Sequence, residues 1–364
     1  MDVKAYTYDI VKTFKTTYEY VANEMQISHN DASTGIYSDW HLEGSVYTHT
    51  MMVLSHMQGL VDQLPERKKE LLIAALLHDV GKIGVRELVE EKQKFTFYGH
   101  ANMSTFFATT MIQALDPTLT DEQKVFILRV INYHQIFFQL TDELSDKGYN
   151  RFKEKFNTTA GFELIKALKI LRTADFAGRI ARFDDGTNTQ RLKQLCVELG
   201  ALEPSLPVRD KNAPTAVIMV GVPCSGKSTY AAKYYPTYTN ISRDAQVMKH
   251  AEEGMTYSEA WKVADHAEVD IRCAAELSAT IVLRYDLVID KTNLTHKSRK
   301  NLVTRLTNAG YNTLLVVLLP SPQEVDKRTT ARTEKCIPVH VVDNMILSFQ
   351  MPFEDEGEVK YVFS

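Results

Sequence analysis

The chain of 364 residues contains only four cysteines, Cys196, Cys224, Cys273 and Cys336, and they form no C-x-x-C pair. Such sparse cysteines exclude a disulfide-stabilised secreted fold and predict reduced thiols in a cytosolic compartment. No apolar run approaches the roughly 18 residues that a membrane-spanning helix needs. The first residues also lack the basic and apolar order of a signal peptide. We therefore expect a cytoplasmic protein without a membrane partner.

A strong net charge is absent as well, since 42 Lys and Arg residues face 46 Asp and Glu residues, for a formal charge of −4. This balance excludes a protein coated with basic surface, although it leaves room for a local basic groove that binds nucleic acid. The sequence contains no internal repeat and no low-complexity tract. The length predicts two domains, because single cores rarely grow beyond about 250–300 residues.

Residues 1–203 are predicted to form an all-α domain, because strand signals are weak there and apolar residues recur with helical spacing. We predict helices over residues 46–60, 66–77, 162–174 and 190–199. The second of these is continuously apolar from residue 71 to residue 77, which indicates a helix that is buried on most sides.

The character of the sequence changes at residues 204–213, where prolines and polar residues predict a linker. In residues 214–364, β-branched runs at 216–220, 281–290 and 313–319 are separated by helical segments. This alternation predicts an α/β domain with a parallel sheet. The acidic segment 353–358 is predicted to be a solvated tail.

Residues 221–229 have the pattern G-x-x-x-x-G-K-[ST], placed between an apolar run and a plausible helix. In such a loop, backbone N–H groups surround the phosphates of a nucleotide. Lys227 directs its charge toward the β and γ phosphates, and the Ser228 hydroxyl can bind Mg²⁺. The motif therefore predicts ATP or another NTP or dNTP as cofactor, with Mg²⁺. The predicted nucleotide-binding residues of the loop are Gly221, Cys224, Ser225, Gly226, Lys227, Ser228 and Thr229.

Polar residues follow the predicted strand 281–290 and a further short strand, at the end of which residues 240–244 place Asp244. Asp244 can accept a proton from an attacking hydroxyl, although an aspartate at this position can equally cap a helix. Asp290 is a candidate carboxylate near the Mg²⁺ ion, and Thr292 with Asn293 could orient an acceptor. A polar exit from the strand explains these last three residues equally well.

Arg328 and Arg332 are spaced four residues apart, so that on a helix they share one face. Two arginines on a lid are suited to stabilising the charge of a transferring phosphoryl group. In most helices, however, such a pair simply faces solvent.

Seven of the eleven histidines lie before residue 135. His78 and Asp79 stand side by side at the end of an apolar helix, where both can converge on one ion. Imidazole and carboxylate together suit Zn, Mn, Fe, Co or Ni better than Ca. Alternatively, the pair is a hydrogen-bonded helix end without metal.

Other histidines and an aspartate can join this point. His49 lies on the inward face of the preceding helix, where a core histidine is the alternative reading. Further candidates follow at His100, His134 and Asp175. The sequence pairs no partner with three remaining histidines, so we expect them to be structural or surface residues: His29, His41 and His56.

The order His…His-Asp…His…His…Asp from His49 to Asp175 resembles the HD phosphohydrolase superfamily. This resemblance implies a first metal site of His49, His78, Asp79 and Asp175, and a second one in which Asp79 is a bridging ligand with His100 and His134. It implies one or two ions such as Mn²⁺, Co²⁺, Ni²⁺ or Zn²⁺, which polarise phosphoryl oxygens and generate a hydroxide nucleophile. It also implies that Lys82 contacts the substrate phosphate.

The phosphate-binding loop, the Ser242-Arg243-Asp244 segment, Thr292-Asn293-Leu294 and the arginine pair together resemble the 5′-OH polynucleotide kinase family. The likeness covers about residues 214–352. It implies that Asp244 is the general base and that Lys227, Arg328 and Arg332 contact the donor phosphates. Phage-type members carry an arginine three residues past the base, where this chain has Val247. Arg243, Lys249 or another basic residue must therefore hold the acceptor.

An HD domain upstream of a polynucleotide kinase domain resembles the bifunctional HD-Pnk end-healing enzymes of bacteria or phage-infected cells. This resemblance implies phosphorylation of 5′-OH ends of RNA or DNA from an NTP, together with hydrolysis of 2′,3′-cyclic phosphate or 3′-phosphate ends. An RNA ligase is then a plausible downstream partner. One alternative is an HD nucleotide phosphohydrolase fused to a small-molecule kinase. Another is a non-catalytic HD module that regulates a kinase, against which the six-residue ligand set argues.

Overall fold

The computed structural model describes residues 1–39, 41–182, 190–199, 210–332, 335 and 337–363. The chain divides into two compact units, Met1–Ser205 and Leu206–Ser364. Most of the predicted linker, residues 204–213, lies outside the described residues. Cys224 and Cys273 are buried free thiols, whereas the side chain of Cys196 and all of Cys336 lie outside the description.

The first unit is helical, as predicted. A predicted helix from 46 to 60 ends at Gln58, and the one from 162 to 174 begins earlier because the Thr158 side chain accepts a bond from the Gly161 amide. The helices of this unit are α1 Val3–Thr17, α2 Glu19–Glu24, α3 Val46–Gln58, α4 Lys68–Leu77, α5 His100–Leu115, α6 Asp121–Tyr133, α7 Asp146–Lys155, α8 Thr159–Ala177 and α9 Gln190–Leu199.

One feature of this unit departs from the all-helical prediction. Two three-residue strands, β1 Glu87–Val89 and β2 Lys94–Thr96, form an antiparallel hairpin. Both strands are short and largely exposed, so they carry no clear alternation of apolar and polar residues that would reveal them in the sequence.

Helix α4 lies at the centre of the first unit. Every side chain from Leu71 to Leu77 is fully buried, and the helix packs against α3, α5, α6 and α8. This confirms the prediction of a helix buried on most sides. Because α4 ends at Leu77, the two residues that follow it, His78 and Asp79, are delivered into the interior of the unit.

The second unit is an α/β fold with a five-stranded sheet in the order β4-β5-β3-β6-β7, in which all neighbouring strands are parallel. The predicted parallel sheet is therefore confirmed. Its strands are β3 Thr215–Val220, β4 Thr239–Ser242, β5 Leu287–Asp290, β6 Asn312–Leu319 and β7 Glu358–Phe363. Its helices are α10 Lys227–Tyr234, α11 Arg243–Met248, α12 Tyr257–Val263, α13 His266–Leu283, α14 His296–Asn308, α15 Pro322–Ala331 and α16 Val339–Leu347.

The prediction of a strand from residue 281 to residue 290 is correct only for its final residues. Its first three residues close α13, which ends because Arg284 adopts a left-handed conformation with φ of 55°. Only Leu287–Asp290 forms a strand. The β-branched Ile281 and Val282 thus belong to the last turn of a helix, which shows that local propensity is a weak guide there.

The prediction of a solvated acidic tail is also wrong. Glu356 is only 2% exposed and forms a two-pronged ion pair with the fully buried Arg299, with N–O distances of 2.7 and 3.0 Å. Arg299 also donates to the backbone carbonyls of Asn293 and Leu294. The acidic segment therefore fixes the loop that follows β5, and the chain continues into the edge strand β7.

Replacing Glu356 by glutamine is expected to destabilise the second unit by about 3–5 kcal/mol, because a buried guanidinium loses the charge that neutralises it. In differential scanning calorimetry of the full chain, the unfolding transition of this unit should move down by about 6 °C or more. The matched control is Glu253→Gln, at an exposed glutamate of the same unit. Equal stability of the two variants contradicts this role of Glu356.

Candidate active sites

The first unit contains a cluster of histidine and aspartate side chains. The structure brings together all six predicted ligands, although they come from five separate helices or helix ends. His49 lies on α3 and His78 caps α4, with Asp79 next to it. His100 begins α5, His134 caps α6 and Asp175 lies in the last turn of α8.

A glycine makes this convergence possible. Gly81 lies in the tight turn Val80–Gly84 that follows Asp79, and its amide donates to the Ser104 hydroxyl at 2.8 Å. A Cβ atom on Gly81 would lie 2.3 Å from the Ser104 amide nitrogen on α5. Because only glycine permits this approach, α5 can bring His100 beside Asp79.

Asp79 lies between two sets of ligands. Its Oδ2 atom is 3.4 Å from His78 Nε2 and 3.7 Å from His49 Nε2. Its Oδ1 atom is 3.2 Å from His100 Nε2 and 3.8 Å from His134 Nε2. The carboxylate therefore has the geometry of a bridging ligand between two cations.

Asp175 completes the first set. Its Oδ1 atom lies 2.9 Å from His49 Nε2 and 3.9 Å from His78 Nε2. Its other oxygen accepts a hydrogen bond from Arg179 at 2.7 Å. This second bond fixes the carboxylate in the orientation that faces the two imidazoles.

The histidine tautomers are set by the backbone. The Nδ1 atoms of His78, His100 and His134 lie 2.7–2.9 Å from the carbonyl oxygens three residues earlier, and a carbonyl only accepts, so each Nδ1 carries a hydrogen. In the neutral form of such a ring, Nε2 is an acceptor that faces the interior of the cluster. His100 Nε2 and His134 Nε2 face each other at 3.1 Å, and the buried His78 Nε2 has no hydrogen-bond partner.

The orphaned His78 acceptor is unfavourable in a buried site without a cation. The donor set of imidazoles and carboxylates therefore fits divalent transition metals.

Protonation of the cluster follows from burial and charge. Burial lowers the pKa of His134 to about 3 and also lowers that of His78, so both rings are neutral at physiological pH. Burial acts in the same direction on His49, but its bonds to Asp175 and Glu43 outweigh burial and raise the pKa to about 9. Metal binding must therefore displace a proton from His49.

Three residues of this region were missed or misjudged from the sequence. Glu43 Oε1 lies 3.0 Å from His49 Nδ1 and 2.8 Å from His41 Nδ1. His29 stacks on His41 with ring centroids 3.8 Å apart and faces Lys82 Nζ at 3.3 Å. His29 and His41 are thus structural residues, as expected, although the sequence did not reveal the side chains that they contact. His56 is exposed, as expected.

The cluster forms the wall of a cavity of about 100 Å³. Lys82 Nζ donates to Asp79 Oδ2 at 2.8 Å and also lines this cavity. Cationic and aromatic side chains share the lining with the ligands, which gives a polar site suited to an anion. The lining consists of His41, Asp79, Lys82, His100, His134, Gln135, Phe138, Arg172, Asp175, Phe176 and Arg179.

The second unit contains the phosphate-binding loop, which leaves the carboxyl end of the central strand β3 and leads into α10. Gly226 caps α10 with φ of 94°, a conformation that favours glycine. The Gly221 amide donates to the Thr292 carbonyl at 3.0 Å, which ties the loop to the end of β5. Ser225 is buried, whereas Ser228 and Thr229 are exposed in the first turn of α10.

Lys227 lies inside this loop. Its Nζ atom donates to the carbonyls of Gly221 at 3.0 Å and Val222 at 2.8 Å. Burial lowers the pKa of Lys227 to about 8. The ammonium group is thus held where the phosphates of a nucleotide would lie.

Nucleotide affinity is expected to fall as the pH rises above about 8. Phosphates raise the pKa of the neighbouring Lys227, so binding favours the protonated form. The dissociation constant should stay level below pH 8 and then rise by up to about tenfold per pH unit. Titration calorimetry across this range measures the slope. The control variant Lys233→Met, at an exposed lysine of α10, should show the same slope. A dissociation constant that does not change with pH contradicts the prediction.

The two arginines of α15 differ in their positions. Arg328 donates to the Cys224 carbonyl of the loop at 3.3 Å and to Glu324 at 2.7 Å. Arg332 is exposed at the C-terminal end of the helix. The structure therefore brings Arg328, but not the side chain of Arg332, into contact with the loop.

Asp244 lies just beyond β4, whose last residue, Ser242, pairs with Asp290 on β5. Ser242, and not Asp244, caps α11, so the alternative capping role of Asp244 is wrong. Asp244 accepts a hydrogen bond from the Tyr257 hydroxyl at 2.7 Å and pairs with Lys335. Partial burial opposes ionisation, but these two partners hold its pKa below the usual range.

Three further residues were candidates for orienting or holding the polynucleotide that accepts the phosphate: Asn293, Arg243 and Lys249. The Asn293 amide is buried and donates to the Met219 carbonyl of β3 at 2.8 Å, so it supports the fold rather than an acceptor. Val247 is fully buried in the core. Arg243 pairs with Asp270 at 2.9 Å and lies over the ring of Trp261, whereas Lys249 is exposed.

Comparison with known families gives one match in each of the two units. Residues 46–175 match the family described as HD domain, and residues 217–352 match a family described as AAA domain. The chain therefore carries an HD domain followed by a P-loop domain of the AAA type. The domain composition implied by the HD-Pnk resemblance is confirmed.

Among solved structures, a chain of the Pnkp1/Rnl/Hen1 RNA repair complex is 24% identical, with a TM-score of 0.31 over 40% of this chain and 46% of that chain. A chain of a second Pnkp1/Rnl/Hen1 complex structure is 22% identical, with a TM-score of 0.28 over 36% of this chain and 44% of that chain. The matched region thus spans less than half of each of these chains. None of the curated proteins compared matches this chain. Among the described residues, no helix has the length and apolarity to cross a membrane.

Proposed function

We propose that the chain is a bifunctional end-healing enzyme. Its P-loop half phosphorylates 5′-OH ends of RNA or DNA from an NTP, and its HD half hydrolyses 2′,3′-cyclic phosphate or 3′-phosphate ends. The observation that carries the proposal is the pairing of two centres in one chain. Asp244 stands beside a phosphate-binding loop, and Asp79 stands between two histidine pairs.

In the kinase half, the oxygen of the 5′-OH attacks the γ-phosphorus and its proton passes to the Asp244 carboxylate. The bond to the β-phosphate oxygen breaks, and the nucleoside diphosphate leaves. Lys227 and Arg328 bind the donor phosphates, with Arg332 available from the same helix. The Ser228 hydroxyl and Asp290 would hold Mg²⁺.

In the HD half, His49, His78, Asp79 and Asp175 would hold one ion, and Asp79, His100 and His134 a second. Such ions, of the class of Mn²⁺, Co²⁺, Ni²⁺ or Zn²⁺, polarise phosphoryl oxygens and lower the pKa of water. Lys82, which faces the same cavity, binds a substrate phosphate oxygen. One water molecule is consumed for each phosphorus–oxygen bond that is cleaved.

The two activities act on opposite ends of one kind of break. A strand cut to a 5′-OH and a 2′,3′-cyclic phosphate cannot be sealed, whereas a 5′-phosphate and a 3′-OH can. An RNA ligase is therefore the partner activity that must consume the product.

The test uses one RNA substrate that carries both a 5′-OH and a 2′,3′-cyclic phosphate, incubated with the full chain, γ-labelled ATP, Mg²⁺ and Mn²⁺. We expect label at the 5′ end and loss of the cyclic phosphate at the 3′ end, read from the digested product. Omitting ATP should abolish only the first change.

Two outcomes overturn the proposal in favour of the alternatives. Hydrolysis confined to free nucleotides, with label on a small molecule only, indicates a nucleotide phosphohydrolase joined to a small-molecule kinase. Labelling of RNA without any hydrolysis, in a first unit that binds no metal, indicates a regulatory HD module.

A further inference from the structure

The cavity of the HD half combines a small anionic-ligand site with aromatic side chains at its edge. We propose that Phe138 and Phe176 stack on the terminal base of a polynucleotide, so that the site recognises a nucleoside 3′ end rather than any phosphate ester. This inference rests on the proposed function and names the substrate class of its HD half.

The size of the cavity limits what enters it. Its volume of about 100 Å³ is well below the roughly 300–1,000 Å³ of pockets that enclose a whole small molecule. A cavity of this size does not enclose a whole nucleotide. When the phosphate lies beside Lys82 and the ligands, the nucleoside lies toward the opening, against the residues that line the cavity and are also exposed.

The exposed lining residues include two phenylalanines. Phe138 is 51% exposed and Phe176 is 44% exposed, yet both line the cavity. Single exposed apolar residues are common on protein surfaces, but two phenylalanines at the rim of one charged cavity both offer aromatic faces to a ligand there. Every base has a π face, and stacking on aromatic side chains contributes about 1–3 kcal/mol per base.

Each phenylalanine lies close in the sequence to a ligand of the cluster. Arg172, Asp175 and Phe176 have the spacing i, i+3 and i+4 on α8, and all three line the cavity. Arg179, which also lines the cavity, lies just past the end of α8. Phe138 lies in the short helical turn Ile136–Gln139, soon after His134. Short stretches of backbone therefore hold the aromatic rim beside the ligands.

The cations at the rim suit the same ligand. The Arg172 guanidinium lies 5.6 Å from the ring centroid of Phe138, within cation–π distance. Arg179 is anchored on Asp175 while it lines the cavity. An aromatic surface flanked by arginines fits a base followed by the phosphates of the strand.

The test compares two substrates that share the reacting group. One is an oligonucleotide with a 3′-phosphate, and the other is glycerol 2-phosphate, which has no base. In the double variant Phe138→Ala and Phe176→Ala, kcat/KM for the oligonucleotide should fall about 10- to 100-fold. For glycerol 2-phosphate it should change less than about twofold. The variant Phe138→Trp should retain activity on the oligonucleotide, and Tyr20→Ala, at an exposed tyrosine on α2, should behave like the wild type.

A binding readout separates this inference from the proposed function. An oligonucleotide with 2-aminopurine as its 3′-terminal base and a 3′-phosphate should lose fluorescence on binding the wild-type chain, and the double alanine variant should not quench it. Equal quenching by both proteins overturns the stacking role even where hydrolysis occurs. Equal losses of kcat/KM for the oligonucleotide and for glycerol 2-phosphate in the double alanine variant also overturn the stacking role. Quenching without hydrolysis instead overturns the proposed reaction and leaves the stacking site in place.

Discussion

Replacing Asp79 by asparagine is expected to abolish hydrolysis by the HD half and to remove its metal, while the kinase rate stays unchanged. The Asp79 oxygens face His78 and His49 on one side and His100 and His134 on the other. Asparagine keeps the shape but loses the charge, and its NH₂ group faces one of these imidazole sets as a donor. We expect a loss of at least about 10³-fold in kcat/KM for 3′-phosphate removal.

The matched control is Asp116→Asn. Asp116 is an equally buried aspartate of the same unit, held by Lys69 and by Tyr6, and it does not line the cavity. This variant should lose stability but keep its metal and its turnover. Elemental analysis of both purified variants, together with phosphate release, measures the difference. If Asp79→Asn binds metal as well as Asp116→Asn does, the bridging role is refuted.

The proposal that two ions bind the cluster has a test of its own. His134 contributes only to the second set, because its Nε2 atom faces Asp79 Oδ1 and His100. The variant His134→Ala should therefore reduce the metal content from two ions to one, whereas Asp79→Asn reduces it to nearly none.

The convergence of the six residues of the HD cluster could be predicted from the sequence because histidine and aspartate are rare in apolar helices. A buried imidazole and a buried carboxylate are costly unless they are paired or bind a metal. His78 and Asp79 at the end of a buried helix therefore indicate a polar site. The phosphate-binding loop could be predicted for a similar reason, since its glycines and lysine have fixed spacing.

The supporting residues could not be predicted, because no periodicity marks them. Glu43 lies in an irregular segment before α3, so only the folded chain shows that it reaches the His49 ring. The partners Arg299 and Glu356 are 57 residues apart, and nothing in either segment points to the other. A charged residue in an acidic stretch is usually solvated, and Glu356 differs only because a buried arginine faces it.

The kinase half is expected to depend on Asp244 in a way that separates chemistry from donor binding. Replacing Asp244 by asparagine removes the group that accepts the proton of the 5′-OH but leaves the phosphate-binding loop intact. We expect labelling of a 5′-OH oligonucleotide to fall about 10²- to 10⁴-fold. The dissociation constant for ATP should change little, and hydrolysis by the HD half should not change. Glu253→Gln, at an exposed glutamate of the same unit, is the control.

Tyr257 and Lys335 sharpen this expectation, because both bind the Asp244 carboxylate. They keep it ionised and hold it in one orientation, so the base should work over the whole neutral range of pH. Tyr257→Phe keeps the ring and removes one hydrogen bond, so it should lower kcat less than Asp244→Asn does. Full labelling activity in Asp244→Asn excludes the carboxylate as the base. If ATP binding is lost in parallel, Asp244 instead belongs to the donor site, because a base for the acceptor hydroxyl contributes only after the nucleotide is in place.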